Sequence, residues 1–324
     1  MVVLVTGGAG FVGSHTCKAL AMAGVEPVVL DNLATGHRKA VCWGPFVEGD
    51  LLIDGCLDEV FAKYKPDAIL HFAASAYVGE SVTAPEKYYR NNVVGTLNLL
   101  ASAARAGIDK IIFSSSCATY GTGSNLPISE DTPQIAINPY GRTKIIGEWM
   151  LSDFAAAARL RYVSLRYFNA AGADPEGQIG EWHDPETHLI PRVLLAAAGK
   201  IEALDIFGSD YPTLDGTCIR DYIHVSDLAN AHVDAYTYLK GFGASVSLNL
   251  GNGRGYSVLD VVTSVETLTG RRVPVAYRPR RSGDPSELLA DATRAKQVIG
   301  FSPRYSDLPT IINTAAPFFL PHDG

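Results

Sequence analysis

The chain of 324 residues has only five cysteines, Cys17, Cys42, Cys56, Cys117 and Cys218, and no CxxC pair. An odd, widely spaced set excludes a disulfide framework and predicts reduced thiols in a cytoplasmic protein. Long apolar runs are missing as well. Val2-Val3-Leu4-Val5 is of strand length, far short of the roughly 20 residues of a membrane span, so no membrane partner is expected. A strand begins at the first residues, so no signal peptide with a basic start is expected there. Positive charge is in deficit: 27 Lys and Arg against 34 Asp and Glu give a net charge of -7. That argues against nucleic acid, whose affinity rests on phosphate neutralisation. His15, His37, His71 and His188 show no metal-ligand spacing, so no metal is expected. What is present, 47% hydrophobic and 19% charged residues, suits a chain that buries an ordinary core.

The first half alternates apolar runs with helical stretches. Met1–Thr6, Pro27–Asp31, Phe46–Gly49, Ala68–Ala73, Lys110–Ser115 and Tyr162–Asn169 read as strands covered on both faces. Helices are expected near 11–23, 55–64, 86–106 and 139–159. This βαβ rhythm predicts an α/β fold with a doubly wound parallel sheet, a Rossmann arrangement, over residues 1–168. Residues 170–187 are rich in Gly, Pro and acids and read as a long loop. Helices near 188–198, 226–239 and 257–269 follow, which predicts a smaller mixed α/β substrate lobe over 169–324. A segment such as Ser247–Gly251 is open to rejoining the main sheet.

Thr6-Gly7-Gly8-Ala9-Gly10-Phe11-Val12-Gly13 follows the first strand and opens a helix. Gly7, Gly10 and Gly13 fit a tight turn, close approach of a pyrophosphate and close helix–strand packing. Glycines at this spacing also occur in plain turns. Here Asp31 ends the second strand about 20 residues on, where a carboxylate accepts from ribose hydroxyls and repels a 2′-phosphate. NAD is therefore the expected cofactor. Asp50-Leu51, closing the third strand, is placed to contact adenine or to serve as an ordinary turn.

Asn138-Pro139-Tyr140-Gly141-Arg142-Thr143-Lys144 reads as a helix start, with Asn138 as N-cap and Pro139 at the first position. Tyr140 and Lys144, four apart, share one face. A phenol with a pKa of about 10 is a poor base at neutral pH, and a nearby ammonium together with an oxidised nicotinamide would lower it. The same spacing alone would suit an exposed first turn. Ser114, Ser115 and Ser116 end the fifth strand, at the sheet edge where ligands bind. Ser116 is the one expected to support a reacting oxygen.

Together with His71-Phe72-Ala73-Ala74 and Tyr167-Phe168-Asn169, these motifs resemble the extended branch of the short-chain dehydrogenase/reductase family. More narrowly, Tyr77-Val78-Gly79-Glu80-Ser81, Phe207-Gly208-Ser209-Asp210-Tyr211-Pro212-Thr213 and Arg220-Asp221-Tyr222-Ile223-His224-Val225 are similar to UDP-glucose 4-epimerases, over nearly the whole chain. The resemblance implies that Tyr140 takes the sugar 4-hydroxyl proton while C4 gives hydride to NAD. The 4-keto sugar then turns over, and hydride returns to its other face. Catalytic residues implied are Tyr140, Lys144 and Ser116, with Thr119 as a second hydroxyl. The cofactor set implied is Gly7, Gly10, Phe11, Val12, Gly13, Asp31, Asn32, Asp50, Leu51, Phe72, Ala73, Ala74, Asn91, Ser114, Tyr140, Lys144 and Tyr167. For a UDP-sugar it is Ser116, Tyr140, Asn169, Leu189, Phe207, Arg220, Tyr222, Arg281 and Asp284, with Glu80 and Ser81 near the sugar.

Leu288 stands at a position linked to acceptance of N-acetylated sugars, and the Cys117-Ala118-Thr119-Tyr120-Gly121 wording also resembles epimerases of UDP-xylose and UDP-arabinose. Hexosamine and pentose substrates therefore stay open beside UDP-glucose and UDP-galactose. A dehydratase of the same branch would need an acid beside the serine, where Cys117 and Ala118 stand. A non-catalytic NAD-binding regulator would have no need to keep Tyr140 and Lys144 at a working spacing. Tyr88, Tyr89, Val93, Leu97 and Leu100, with Ile145, Ile146, Trp149 and Met150, offer more apolar surface than one sheet face covers, which predicts a homodimer.

Overall fold

The computed structural model describes residues 1–122, 126–158, 160–281 and 284–321. In the first half, β1 (Val2–Thr6), β2 (Glu26–Asp31), β3 (Phe46–Glu48), β4 (Ala68–His71), β5 (Lys110–Ser114) and β6 (Arg161–Tyr167) alternate with helices. After them come β7 (Asn169–Ala171), β8 (Leu204–Phe207), β9 (Ile219–His224), β10 (Val246–Leu250), β11 (Gly255–Ser257), β12 (Val275–Arg278) and β13 (Glu287–Leu288). The main sheet is parallel with seven strands in the order β10-β6-β5-β4-β1-β2-β3. Its register sets Thr6, His71 and Phe113 side by side, so three loops leave one edge together.

The strands are continuously apolar because both faces are covered. Val3, Val5, Leu70, Ile112 and Val163 pack under the helices Phe11–Met22 and Val225–Lys240 through Leu20, Leu228, Ala231 and Ala235. On the other face Leu4, Ile69 and Ile111 meet Val60, Leu99 and Leu151. The second half contributes to the first core through Val225–Lys240 and through β10, which pairs with β6 from Val246 to Leu250. Its own core joins Ile190, Val193 and Leu194 to Val261, Val265, Ile311 and Ile312.

Two local features set up the site. The helix Pro139–Ala158 starts with the Asn138 side chain accepting from the Gly141 amide at 2.8 Å, an N-cap as the sequence predicts. The stretch 85–106 is helical throughout but passes through a π-turn at Tyr89–Val94, a local widening common at functional sites. The polar residues Asn91 and Asn92 lie in that turn.

Candidate active site

Glycine is dictated by the backbone at two points of the first loop. Gly7 has φ +73°, and a Cβ there would lie 2.5 Å from the Ala73 nitrogen. At Gly13 a Cβ would stand 2.3 Å from the Gly7 carbonyl oxygen. Gly10 differs, since the nearest protein atom to its Cβ would be Gly7 O at 3.3 Å. Phe11 and Val12 open the helix and are partly buried. Asp31, at the end of β2, accepts from the Ala9 amide at 3.0 Å and the Leu33 amide at 2.8 Å. It thereby ties the loop to the second strand, and burial pushes its carboxyl up. Exposed Asn32 donates to Asp50 at 2.9 Å, while Leu51 is buried. Phe72 and Ala73 continue from β4 beneath the loop, Phe72 packing on the His232 ring with centroids 4.6 Å apart. Ala74 follows, partly buried. His71 is buried between Thr6 at 2.7 Å and Thr96 at 2.9 Å, so its role is to lock β4.

Across the same edge, Tyr140 and Lys144 do share a face. The Lys144 Nζ lies 5.7 Å from the Tyr140 ring centroid and donates to the Ser114 carbonyl at 2.6 Å. Both side chains are buried. Burial pushes Lys144 down to about 7, with the Glu148 carboxylate opposing it. It pushes the Tyr140 phenol up, reinforced by Tyr167, against a hydrogen bond from Ser116 that lowers it. In the protein alone desolvation prevails, because neither charge has water to stabilise it; the expected lowering of the phenol calls on the ammonium together with an oxidised nicotinamide. Ser116 Oγ accepts from the Ala118 amide at 3.1 Å. Thr119 is fully buried and donates to the Ser116 carbonyl at 2.9 Å, which makes it a support for the serine turn. The Ser114 hydroxyl pairs with the Tyr167 hydroxyl at 2.6 Å.

Two residues that the sequence reading passed over complete the setting. Glu148, one turn beyond Lys144, accepts from Ser115 at 2.6 Å and forms a buried ion pair with Arg166 at 2.5 Å. Its signal was the same i, i+4 spacing continued from 140 and 144 to 148. Asn92 donates to Thr143 at 3.0 Å and to the Ser75 carbonyl at 3.0 Å, fastening the loop after β4 to the Tyr140 helix. Asn91 donates to Ser75 at 3.2 Å. Ser81, expected near a sugar, is fully buried and donates to the Val78 carbonyl. Glu80 is engaged by Lys87 at 2.7 Å and Tyr88 at 2.8 Å.

The second half carries a further set, of which Arg220 and Asp221 lie beside Cys117 of the serine turn. Asn169 donates to the Asp221 carbonyl at 2.8 Å, joining β7 to β9. Arg220 pairs with Asp284. Tyr222 is buried on the same strand, and Leu288 pairs with Arg220 in β13. The Arg281 guanidinium lies 3.9 Å from the Phe207 ring centroid, and Leu189 begins the helix Leu189–Ala197. Cys117, beside Arg220 and Asp221, is pushed up to about 12 by burial; its thiol stays protonated.

Comparison with known proteins places this geometry. Residues 3–251 match the model of the NAD dependent epimerase/dehydratase family. A UDP-glucose 4-epimerase of Rhizobium leguminosarum bv. trifolii is 55% identical over 97% of this chain and 95% of its own. The crystal structure of UDP-glucose 4-epimerase from Brucella ovis in complex with NAD superposes with a TM-score of 0.96, at 61% identity over 98% of both chains. That of UDP-glucose-4-epimerase from Stenotrophomonas maltophila with bound NAD and formylated UDP-arabinopyranose gives 0.95, at 39% identity over 98% and 97%.

Proposed function

The chain belongs to the NAD dependent epimerase/dehydratase family, and from that premise we propose that it is an NAD-dependent 4-epimerase interconverting UDP-glucose and UDP-galactose. The observation that carries this reading is the Lys144 ammonium held against the Ser114 carbonyl beside Tyr140, at the sheet edge from which the glycine loop also emerges.

The residues fit a dinucleotide. Gly7 and Gly13 are required by the fold; at Gly10 a Cβ would press more mildly on the Gly7 carbonyl oxygen, at 3.3 Å, and glycine there also suits close approach of a pyrophosphate. Asp31 retains lone pairs for ribose hydroxyls, and Phe11, Val12, Asn32, Asp50, Leu51, Phe72, Ala73, Ala74, Asn91, Ser114, Lys144 and Tyr167 are proposed to line the rest. When bound, oxidised NAD supplies the hydride acceptor and a second positive charge near Tyr140.

Within the chain, Tyr140 accepts the 4-hydroxyl proton at its phenolic oxygen and later returns it. Lys144 favours the phenolate by charge, and Ser116 holds the reacting oxygen by hydrogen bonding. Arg220 and Arg281 present planar, always-charged donors suited to a diphosphate. Asn169, Leu189, Phe207, Tyr222 and Asp284 complete the nucleotide site. A substrate held by its UDP end leaves the sugar free to present either face.

Residues 1–168 are proposed as the NAD-binding domain and 169–324 as the UDP-sugar lobe, with β10 lent back to the main sheet. Tyr89, Val94, Leu97 and Trp149 are exposed apolar residues on two adjoining helices, which supports a homodimer through that face. No helix among the described residues is long and apolar enough to cross a membrane, and we place the enzyme in the cytoplasm. Comparing kcat/KM for UDP-glucose, UDP-N-acetylglucosamine and UDP-xylose tests the reading. A preference for UDP-glucose supports it, and turnover of none of the three refutes it.

A further inference from the structure

No metal-ligand spacing marks His188 in the sequence, yet the irregular segment after β7 folds that residue into a cluster with Glu181, His183 and Glu186. One ligand atom from each of the four lies within 4.8 Å of every other. His188 Nδ1 meets a Glu181 oxygen at 2.5 Å. His183 Nδ1 lies 3.0 Å from Glu181 and 3.7 Å from Glu186. These last approaches have ion-pair distances but not hydrogen-bond geometry: His183 Nδ1 and Glu186 Oε2 are both buried and have no hydrogen-bond partner. The Glu186 side chain is only 9% exposed and that of Glu181 2%, so two carboxylates and an imidazole nitrogen converge out of water. A buried polar atom left in this state is costly, and native proteins rarely leave two such atoms converging unless something joins them.

We propose that Glu181, His183, Glu186 and His188 form a binding site for one divalent transition-metal ion of the zinc class. Two imidazoles and two carboxylates match the ligand preference of such ions, and carboxylates alone would instead suit calcium or magnesium. Zinc holds nitrogen and oxygen ligands at about 2.0–2.2 Å, which puts neighbouring ligand atoms about 3.3–3.5 Å apart. The observed separations, 2.5, 3.0 and 3.7 Å, bracket that spacing, and the Glu181–His188 contact would open as the ion enters. Two carboxylates neutralise the ion, and four protein ligands close the shell, as structural sites require. The half-exposed His188 leaves an entry path. The ion would clasp the segment against the glycine loop, where His183 packs edge-on against Phe11 with centroids 6.1 Å apart. The adjoining Trp182 carbonyl accepts from His37 at 2.6 Å.

The test uses the full chain as purified, with whatever nucleotide it carries, dialysed against a chelator and titrated with Co²⁺. The expected result is one equivalent bound per chain, with the visible absorption of four-coordinate cobalt, displaced by Zn²⁺. Loss of an outer-shell partner alone costs about 10–100-fold in metal affinity. Glu186→Gln and His183→Ala, each removing a ligand, should therefore weaken Co²⁺ binding by about 100-fold or more. Glu186→Gln conserves volume, and its circular dichroism and melting curve establish that it folds. Substoichiometric binding to the wild type, or tight binding that survives both substitutions, overturns the proposal and leaves a self-contained ion-pair cluster.

Discussion

The Lys144 Nζ donates to the carbonyl of Ser114 at 2.6 Å, and with the Ser115–Glu148 bond it fastens the Tyr140 helix to the end of β5. It holds the amine nitrogen beside the phenol ring with both groups out of water. Removing the ammonium should leave Tyr140 harder to ionise. We expect Lys144→Met to lower kcat and to move the rising limb of the kcat–pH profile to higher pH. An unshifted limb, measured over a full pH series, would show that Lys144 acts by packing alone.

Gly7 tests the loop. A methyl group there meets the Ala73 nitrogen at 2.5 Å, on a backbone with φ +73°. Overpacking of this kind costs about 1–3 kcal/mol, and the left-handed backbone adds strain. Gly7→Ala should melt well below the wild type and retain less bound dinucleotide. A melting temperature and cofactor content equal to the wild type would mean that the loop relaxes freely.

How much of this was legible follows from where regular patterns exist. β1, β2 and β5 are apolar runs ending at Thr6, Asp31 and Ser114, so strand, loop and site edge could be read together. The helix Pro139–Ala158 announced itself through Asn138 and Pro139. β11 and β13 span three and two residues, too short to show any period. The helix Leu308–Phe319 carries Pro309 and Pro317, which hide it. Glu148 was missed although it continues the 140–144 face, because a lone acid on a helix usually faces solvent. The Glu181–His188 cluster lies in irregular chain, where spacing says nothing about proximity.

Acid should destabilise the protein through its buried histidines. Burial holds His71 and His224 down to about 3, and His15 and His232 to about 4. An unfolded histidine titrates near 6.5. Below about pH 6.5 the unfolded chain binds protons that the folded chain refuses, so stability falls as pH drops toward about 4. Asp221, raised to about 6 by burial, works the other way with a single proton. Melting temperatures at pH 7 and pH 5 should show a clear fall, made smaller by His232→Leu. A flat profile would contradict the buried neutral state of these rings.

Arg220 is one of the two cations we assign to the diphosphate, paired with Asp284 in the chain alone. Hydrogen bonds to charged groups contribute about 1.5–3 kcal/mol. Arg220→Ala should therefore raise KM for UDP-glucose by about 10–100-fold, with a smaller effect on kcat. A loss confined to kcat would place Arg220 in the chemistry instead of in anchoring.

The central claim is that the phenolic oxygen of Tyr140 carries the proton of the sugar 4-hydroxyl, and Tyr140→Phe removes that oxygen alone. Positioned acid–base groups contribute about 10²–10⁴-fold. Steady-state conversion of UDP-galactose to UDP-glucose should fall by that factor in Tyr140→Phe, with bound NAD retained. Turnover within a few-fold of the wild type, in a variant that still holds NAD, would contradict it.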